Sequence, residues 1–127
     1  MDRRVRHRLR AAKEVDPASE ARIRHLRTEL MAAMERELDG AILVMPTVKH
    51  VAPPMAPLSN DDELFASVNL ETLSLTMIGS LLDMPGVAIP SGKDSIGLAT
   101  STLFSTTQGR DDQLLSACLA IETRLCD

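Results

Sequence analysis

A serine and a lysine stand two residues apart, at Ser91 and Lys93, in the stretch LLDMPGVAIPSGKDSIGLAT. These residue types can act as a nucleophile and its base when they are hydrogen-bonded beside preorganised oxyanion donors. Nothing in the neighbouring sequence would desolvate Lys93 enough for it to act as a base at neutral pH. We therefore interpret Ser-Gly-Lys as the turn between two strands and predict that the chain has no catalytic residue.

The same stretch has some of the residues of a phosphate-binding loop. That loop has four residues between its first glycine and a Gly-Lys pair, which a Ser or Thr follows to bind magnesium. Here five residues separate Gly86 from Gly92, and Asp94 stands at the hydroxyl position. A carboxylate there would repel phosphate, so the sequence excludes this motif.

The metal-ligating residue types lack the spacing of a metal site. The three histidines, which show no ligand or triad spacing, are His7, His25 and His50. Cys118 and Cys126 lie eight residues apart without a CxxC motif, and we interpret them as buried or incidental thiols. The acidic run Asp61, Asp62 and Glu63 suits the N-terminus of a helix. We expect no metal and no organic cofactor.

The composition is that of an ordinary globular domain except for its aromatic residues. Of the 127 residues, 44% are hydrophobic and 25% are charged, while Phe65 and Phe104 are the only aromatic residues. Stacking on bases or sugars is therefore excluded, which argues against single-strand nucleic-acid and carbohydrate binding. No apolar run approaches membrane-spanning length and no signal-peptide pattern is present, so we expect a cytoplasmic protein without a membrane partner.

Positive charge is concentrated near the N-terminus. Residues 1–27 hold nine basic against four acidic side chains, and residues 28–127 hold five against fourteen. The basic segment could touch nucleic acid or an acidic lipid surface, or it could be a solvated helix face or lie against an acidic neighbour. The acidic remainder would repel phosphate, so we expect no nucleic-acid partner. We predict a basic N-terminal segment over residues 1–16 and a single α/β domain over residues 17–127.

The clearest predicted element is a helix between Asp16 and Gly40. Asp16 suits the N-cap, Pro17 the first helical position and Gly40 a left-handed C-terminal position. Apolar residues recur between them at three and four residues, which predicts a core-facing stripe of Ile23, Leu26, Leu30, Met34 and Leu38.

The other predicted elements give the order α-β-α-α-β-β-α. Continuous apolar runs predict buried strands over 41–45 and 86–90, and a third strand covers 96–104. The proline-rich stretch over 46–57 predicts an extended connection. Asn60 and Glu63 resemble a capping box, a second helix is predicted over 72–82, and Asp111 is predicted to cap a last helix. The apolar residues of that helix are Leu114, Leu115, Cys118, Leu119, Ile121 and Leu125. We expect a small mixed sheet of about three strands covered by helices.

Five pieces in this order resemble the C-terminal part of amidase signature-family enzymes. They are the arginine-bearing helix ARIRHLRTELMAAMEREL, the strand DGAILVMPT, the segment VAPPMAP, the run GSLLDMPGVAIPSG, and a helix with Asp112, Leu114, Leu115 and Glu122. The resemblance covers nearly all of residues 20–125. It implies a partial amidase signature fold.

The chain departs from the family pattern in informative places. The family's Gly-Leu-Pro-x-Gly strand is here GLATS, with Ala99 and Ser101 at the proline and second glycine positions, and Ser80 replaces a frequent asparagine. The family's catalytic serine, cis-peptide serine and lysine base lie in a glycine- and serine-rich core, N-terminal to this region, that these residues do not include. Neither Ser91 nor Lys93 corresponds to them.

The resemblance implies a C-terminal segment or truncation of an amidase that is not catalytic by itself. The alternative is a small oligomeric interaction module whose basic N-terminal helix docks on an acidic partner. For either reading we expect a homo-oligomer or, for the amidase, association with the missing core.

Overall fold

A computed structural model describes residues 3–125, which form six helices and three strands. Two helices precede the first strand, three short helices lie between the first and second strands, and the last helix follows the third strand. The elements are α1 Arg3–Ala12, α2 Pro17–Leu38, β1 Leu43–Pro46, α3 Met55–Asn60, α4 Asp62–Leu73, α5 Thr76–Leu82, β2 Gly86–Lys93, β3 Ala99–Ser105 and α6 Asp111–Leu125. The α/β class is confirmed, and α1 lies within the basic segment predicted over residues 1–16.

The sheet is antiparallel throughout, so the expected mixed sheet is wrong. Its strand order is β1-β3-β2, and both outer strands pair antiparallel with β3. β2 and β3 are joined by a short turn, so β3 runs back beside β2 in the opposite direction. β1 is an edge strand on which half-buried and exposed residues alternate, so the prediction that residues 41–45 are buried on both faces is wrong.

Helix α2 begins and ends where the sequence predicts. Asp16 is the N-cap, and its Oδ1 accepts a hydrogen bond from the Ser19 amide at 2.9 Å. After Leu38, Asp39 and Gly40 both adopt positive φ, at 42° and 84°. No residue of α2 is fully buried. The first part of the predicted stripe is exposed and its last two residues, Met34 and Leu38, are half-buried, so the expectation that the stripe faces the core is wrong for its first part.

The core lies between the sheet and α6. Its buried residues are Ile89, Phe104, Leu114 and Cys118, with Ile42, Val87 and Ile121 packed against them. Leu115 and Leu119 are 51% and 65% exposed, so the apolar face of α6 that packs is narrower than predicted. Asp111 is the first residue of α6 and not its cap.

The helices between the strands differ from the prediction in three places. The short helix α3, Met55–Asn60, starts directly after Pro54 and includes the last residues of the stretch predicted to be an extended connection. The cap of α4 is Asp61, whose Oδ1 accepts from the amides of Glu63 and Leu64 at 2.9 and 3.0 Å, so the capping box led by Asn60 is wrong. The helix predicted over 72–82 is α5 and starts only at Thr76, because α4 continues to Leu73 and the chain breaks at residues 74–75.

Membrane-spanning length was tested over residues 3–125. No single helix there is long and apolar enough to cross a membrane, whereas α4 and α5 together, bent by 63°, pass the same test of length and composition.

Candidate functional site

Ser91 lies in a β-bulge inside β2. Pro90 pairs with Ser101 and Gly92 pairs with Thr100, so Ser91 is the extra residue between two successive pairs. The strand continues to Lys93. The prediction that Ser-Gly-Lys is the turn is therefore wrong.

The turn between β2 and β3 is built by Asp94. Its Oδ1 accepts hydrogen bonds from the amides of Ile96 at 2.9 Å and Leu98 at 2.8 Å. The backbone adds a bond from the Asp94 amide to the Leu98 carbonyl at 2.9 Å. A side chain that binds the amides of the following residues stabilises a tight turn, and Gly97 supplies the positive φ, at 87°. Ile96, predicted to begin the third strand, therefore lies in the turn.

Among the described residues, no basic side chain is hydrogen-bonded to Ser91. Its Oγ lies 3.2 Å from the Thr100 Oγ1, and the two hydroxyls share one hydrogen bond across the strands. Lys93 is exposed and follows two residues along the same strand. A hydroxyl paired with another hydroxyl stays protonated and is a weak nucleophile at neutral pH. The geometry is that of a polar surface and not of a nucleophile with its base.

Ser91 and Thr100 instead form part of a groove of about 520 Å³, which we call the hydroxyl groove. Its lining residues come from all three strands and from the segment after β1. They are Val44, Met45, Pro46, Val48, Lys49, His50, Val51, Ser91, Ala99, Thr100, Ser101 and Thr102. No Asp or Glu is among them.

The groove lies at the end of the sheet where β3 begins. Thr100, Thr102 and Phe104 alternate along β3 and therefore point to one face, whereas Ala99 and Ser101 point to the other face. Phe104 belongs to the core beside α6, and the other four residues line the groove. The groove therefore takes residues from both faces of the sheet, beyond the packed core.

The segment after β1 is held over the groove by hydroxyl contacts. Ser101 Oγ donates to Thr47 Oγ1 at 2.7 Å, and the Thr47 amide donates to the Ser101 carbonyl at 3.2 Å. These bonds continue the β1–β3 pairing by one residue beyond Pro46. They position Lys49 and His50 at the rim.

Both ring nitrogens of His50 are occupied. Nδ1 lies 2.8 Å from the Val51 carbonyl oxygen, and Nε2 lies 2.9 Å from the Thr72 Oγ1. The imidazole therefore ties the segment after β1 to α4. A ring with both nitrogens engaged in this way cannot also take a proton from Ser91, so His50 is a structural residue.

The other residues considered for chemistry do not converge. His25 pairs with Glu29 on the same helix at 3.4 Å, while the His7 side chain and Cys126 lie outside the described part of the molecule. Asp61, Asp62 and Glu63 form the predicted helix start, and Cys118 is buried, which raises the pKa of its thiol. Among the described residues no group of three or more His, Cys, Asp or Glu side chains could hold a metal ion.

A second groove, of about 560 Å³, lies where α5, the β-hairpin and the start of α6 meet. Asp83 stands at its edge and accepts a hydrogen bond from Gln108 at 3.1 Å. Arg27 of α2 pairs with the same carboxylate at 3.3 Å. Asp83 therefore joins α2 to the loop before α6, which makes its role structural.

Sequence reasoning missed the hydroxyl groove. Its hydroxyl side chains come from Ser91 in the bulge of β2 and from Thr100, Ser101 and Thr102 at the start of β3. The signal was this run of three hydroxyl residues in the predicted third strand. Comparison of the chain with protein-family models, with curated proteins and with solved structures finds no match.

Proposed function

We propose that this chain is the C-terminal part of an amidase signature-family hydrolase, which acts on carbon–nitrogen amide bonds and is not catalytic through these residues alone. The proposal starts from the five sequence pieces described above. The structural observation that supports it most is the amount of apolar surface that the fold leaves in water. A domain that has closed its own core would bury that surface.

Helix α2 carries an apolar stripe of which three residues are exposed. Ile23, Leu26 and Leu30 follow one another at helical spacing and are 51%, 49% and 40% exposed. A surface helix of a complete domain turns such a stripe toward the core. In an intact amidase fold a further layer would lie against this stripe.

The sheet supports the same proposal. Because β3 is central, β1 and β2 each present one edge without a partner strand within residues 3–125. The unpaired backbone donors and acceptors of β2 before Pro90 form a template for another strand. In the proposed enzyme these edges would continue into a larger sheet.

The resemblance also implies which part of the proposed enzyme carries the catalytic residues. The nucleophilic serine and its lysine base would belong to the family's core, which forms an acyl-serine intermediate without a metal or organic cofactor. The residues described here would contribute strands, covering helices and a wall of the substrate cleft. This agrees with Ser91, whose only hydrogen-bond partner among the described residues is the Thr100 hydroxyl.

The test is the reading frame upstream of Met1. We expect an in-frame coding stretch rich in glycine and serine, and we expect the joined chain to hydrolyse a panel of simple amides. The 127-residue chain alone should be inactive on the same panel. Turnover by the 127-residue chain that Ser91→Ala abolishes would contradict the proposal, as would an upstream sequence without such a stretch.

The alternative is a small oligomeric interaction module, and α1 is the observation that favours it. Val5 and Leu9 of this helix are exposed, and so are Arg6 and Arg10. A short helix that presents both apolar and basic side chains suits docking on an acidic partner. Sedimentation at micromolar concentration, followed by addition of a hydrophobic dye, separates the two proposals. A compact monomer or oligomer that binds no dye favours the module, and a chain that binds the dye favours the amidase segment.

A further inference from the structure

The hydroxyl groove offers hydrogen-bond donors without a competing carboxylate. The Lys49 ammonium and the Thr102 hydroxyl have no hydrogen-bond or ion-pair partner among residues 3–125. Ser91 and Thr100 share one hydrogen between their oxygens, so one further hydroxyl hydrogen is free. These groups match a ligand that only accepts hydrogen bonds.

Part of the lining of the groove is apolar. Val44 of β1, which is 54% exposed, contributes to it together with Val48 and Val51 of the segment after β1. A short aliphatic chain laid against these side chains would remove apolar surface from water. The volume of about 520 Å³ is within the usual size of small-molecule sites.

We propose that the hydroxyl groove binds a small organic carboxylate with a short aliphatic chain. The carboxylate accepts from Lys49, Thr102 and the Ser91–Thr100 pair, and the chain packs on the valines. A monoanion fits better than a phosphate dianion for two reasons. The chain is acidic overall, with a net charge of −4, and Lys49 is the only lysine or arginine among the lining residues. This proposal does not depend on the amidase assignment.

The test is a titration of the 127-residue chain with sodium hexanoate, followed by backbone amide NMR at fixed ionic strength. Hexanamide, which has the same length and no charge, is the matched ligand. We expect hexanoate to shift the amides of Lys49, His50, Thr100, Ser101 and Thr102. Hexanamide should shift the same amides at higher concentration.

Two lysine variants separate the groove from general attraction of anions. Lys49→Gln should weaken hexanoate binding by roughly two- to fivefold, the range of an exposed ion pair, and leave hexanamide unchanged. Lys93→Gln removes an exposed charge outside the lining and should leave both ligands unchanged.

A third variant tests the hydroxyl contacts. Thr102→Val keeps the shape of the side chain and should weaken both ligands. The proposal is overturned if hexanoate shifts are spread over the surface, if Lys93→Gln weakens hexanoate as much as Lys49→Gln does, or if Thr102→Val has no effect. These outcomes concern binding by this chain and leave the result of the upstream-frame experiment unaffected.

Discussion

Three consecutive polar residues, Ser105, Thr106 and Thr107, are buried at the end of β3. Ser105 Oγ donates to the Pro85 carbonyl at 2.7 Å, and Thr107 donates to the Glu35 carboxylate. Thr106 is completely buried, and its Oγ1 has no hydrogen-bond partner among the described residues. A buried hydroxyl without a partner has lost its bonds to water and gained nothing in exchange.

Thr106→Val therefore should stabilise the protein. The substitution replaces an unsatisfied hydroxyl with a methyl group of similar shape, so it removes a desolvation cost of about 1–3 kcal/mol and leaves the packing in place. Allowing for imperfect fit of the methyl group, we expect the free energy of unfolding to rise by about 1–2 kcal/mol. For a chain of this size that corresponds to a rise in Tm of about 4–8 °C.

Thr107→Val is the matched control. It makes the same change one residue along the chain, but here the hydroxyl is bonded to Glu35. Loss of that bond should lower the free energy of unfolding, so two neighbouring Thr→Val substitutions have opposite signs. The chain has no Trp or Tyr, so urea unfolding is best followed by far-UV circular dichroism.

The slope of the unfolding free energy against urea serves as the internal check, since it should not change between the variants. A decrease in stability for Thr106→Val of about 1 kcal/mol or more would refute the reasoning, because it would mean that the hydroxyl has a partner. An ordered water would be such a partner, and a solvent molecule bound to Thr106 in a crystal structure would identify it.

Three further predictions test the cap of α4, the location of the core and the link between α2 and the last loop. Asp61→Ala should lower the free energy of unfolding, measured in urea, by about 0.5–2 kcal/mol, because Asp61 caps α4. Asn60→Ala should leave it almost unchanged, and equal effects of the two substitutions would contradict the cap. Leu114→Ala should lower the free energy of unfolding by about 2–5 kcal/mol, because the Leu114 side chain is only 1% exposed. Leu30→Ala on α2 should lower it clearly less, and the reverse order would place the core at α2. Hydrogen bonds from Thr107 and Arg110 lower the pKa of Glu35 from its ordinary 4.5. The ionised Glu35 therefore stabilises the folded protein fully above about pH 4.5, and this contribution is lost as the pH falls through the folded-state pKa. The stability difference between wild type and Glu35→Gln should therefore shrink below pH 4.5, and a constant difference would exclude this link.

The helix ends could be predicted from the sequence because they depend on neighbouring residues. Asp16, Pro17 and Gly40 act within a few residues of the helix they bound, and all three lie where the pattern predicts. The error at Asn60 has the same local origin. Two residues with cap-forming side chains stand side by side, and the φ of −133° at Asp61 makes Asp61 the cap because that residue leaves the helical conformation.

The sheet was harder to predict because strand geometry depends on pairing. A bulge adds one residue to β2, which keeps Ser91–Lys93 in the strand and moves the turn to Asp94–Leu98. Nothing in the local sequence marks Ser91 as the extra residue. The hydroxyl groove was missed for the same reason, since Thr47 and Ser101 are neighbours only after β1 has paired with β3.

Helix α2 is held in place by contacts other than its apolar stripe, which is why the stripe is a poor guide to the position of the core. The helix is tied to the rest of the molecule by Arg27 with Asp83 and by Glu35 with Arg110, and both pairs are substantially exposed. Exposed ion pairs contribute about 0–1 kcal/mol each. Covering the exposed part of the three stripe side chains, about half of each, would contribute roughly 1 kcal/mol per side chain, or about 3 kcal/mol in total. A surface that covers the stripe would therefore stabilise α2 more than its present ion pairs do. Periodicity predicts which side of a helix is apolar, and whether that side meets this chain's own core or another surface depends on contacts that the helix sequence does not contain.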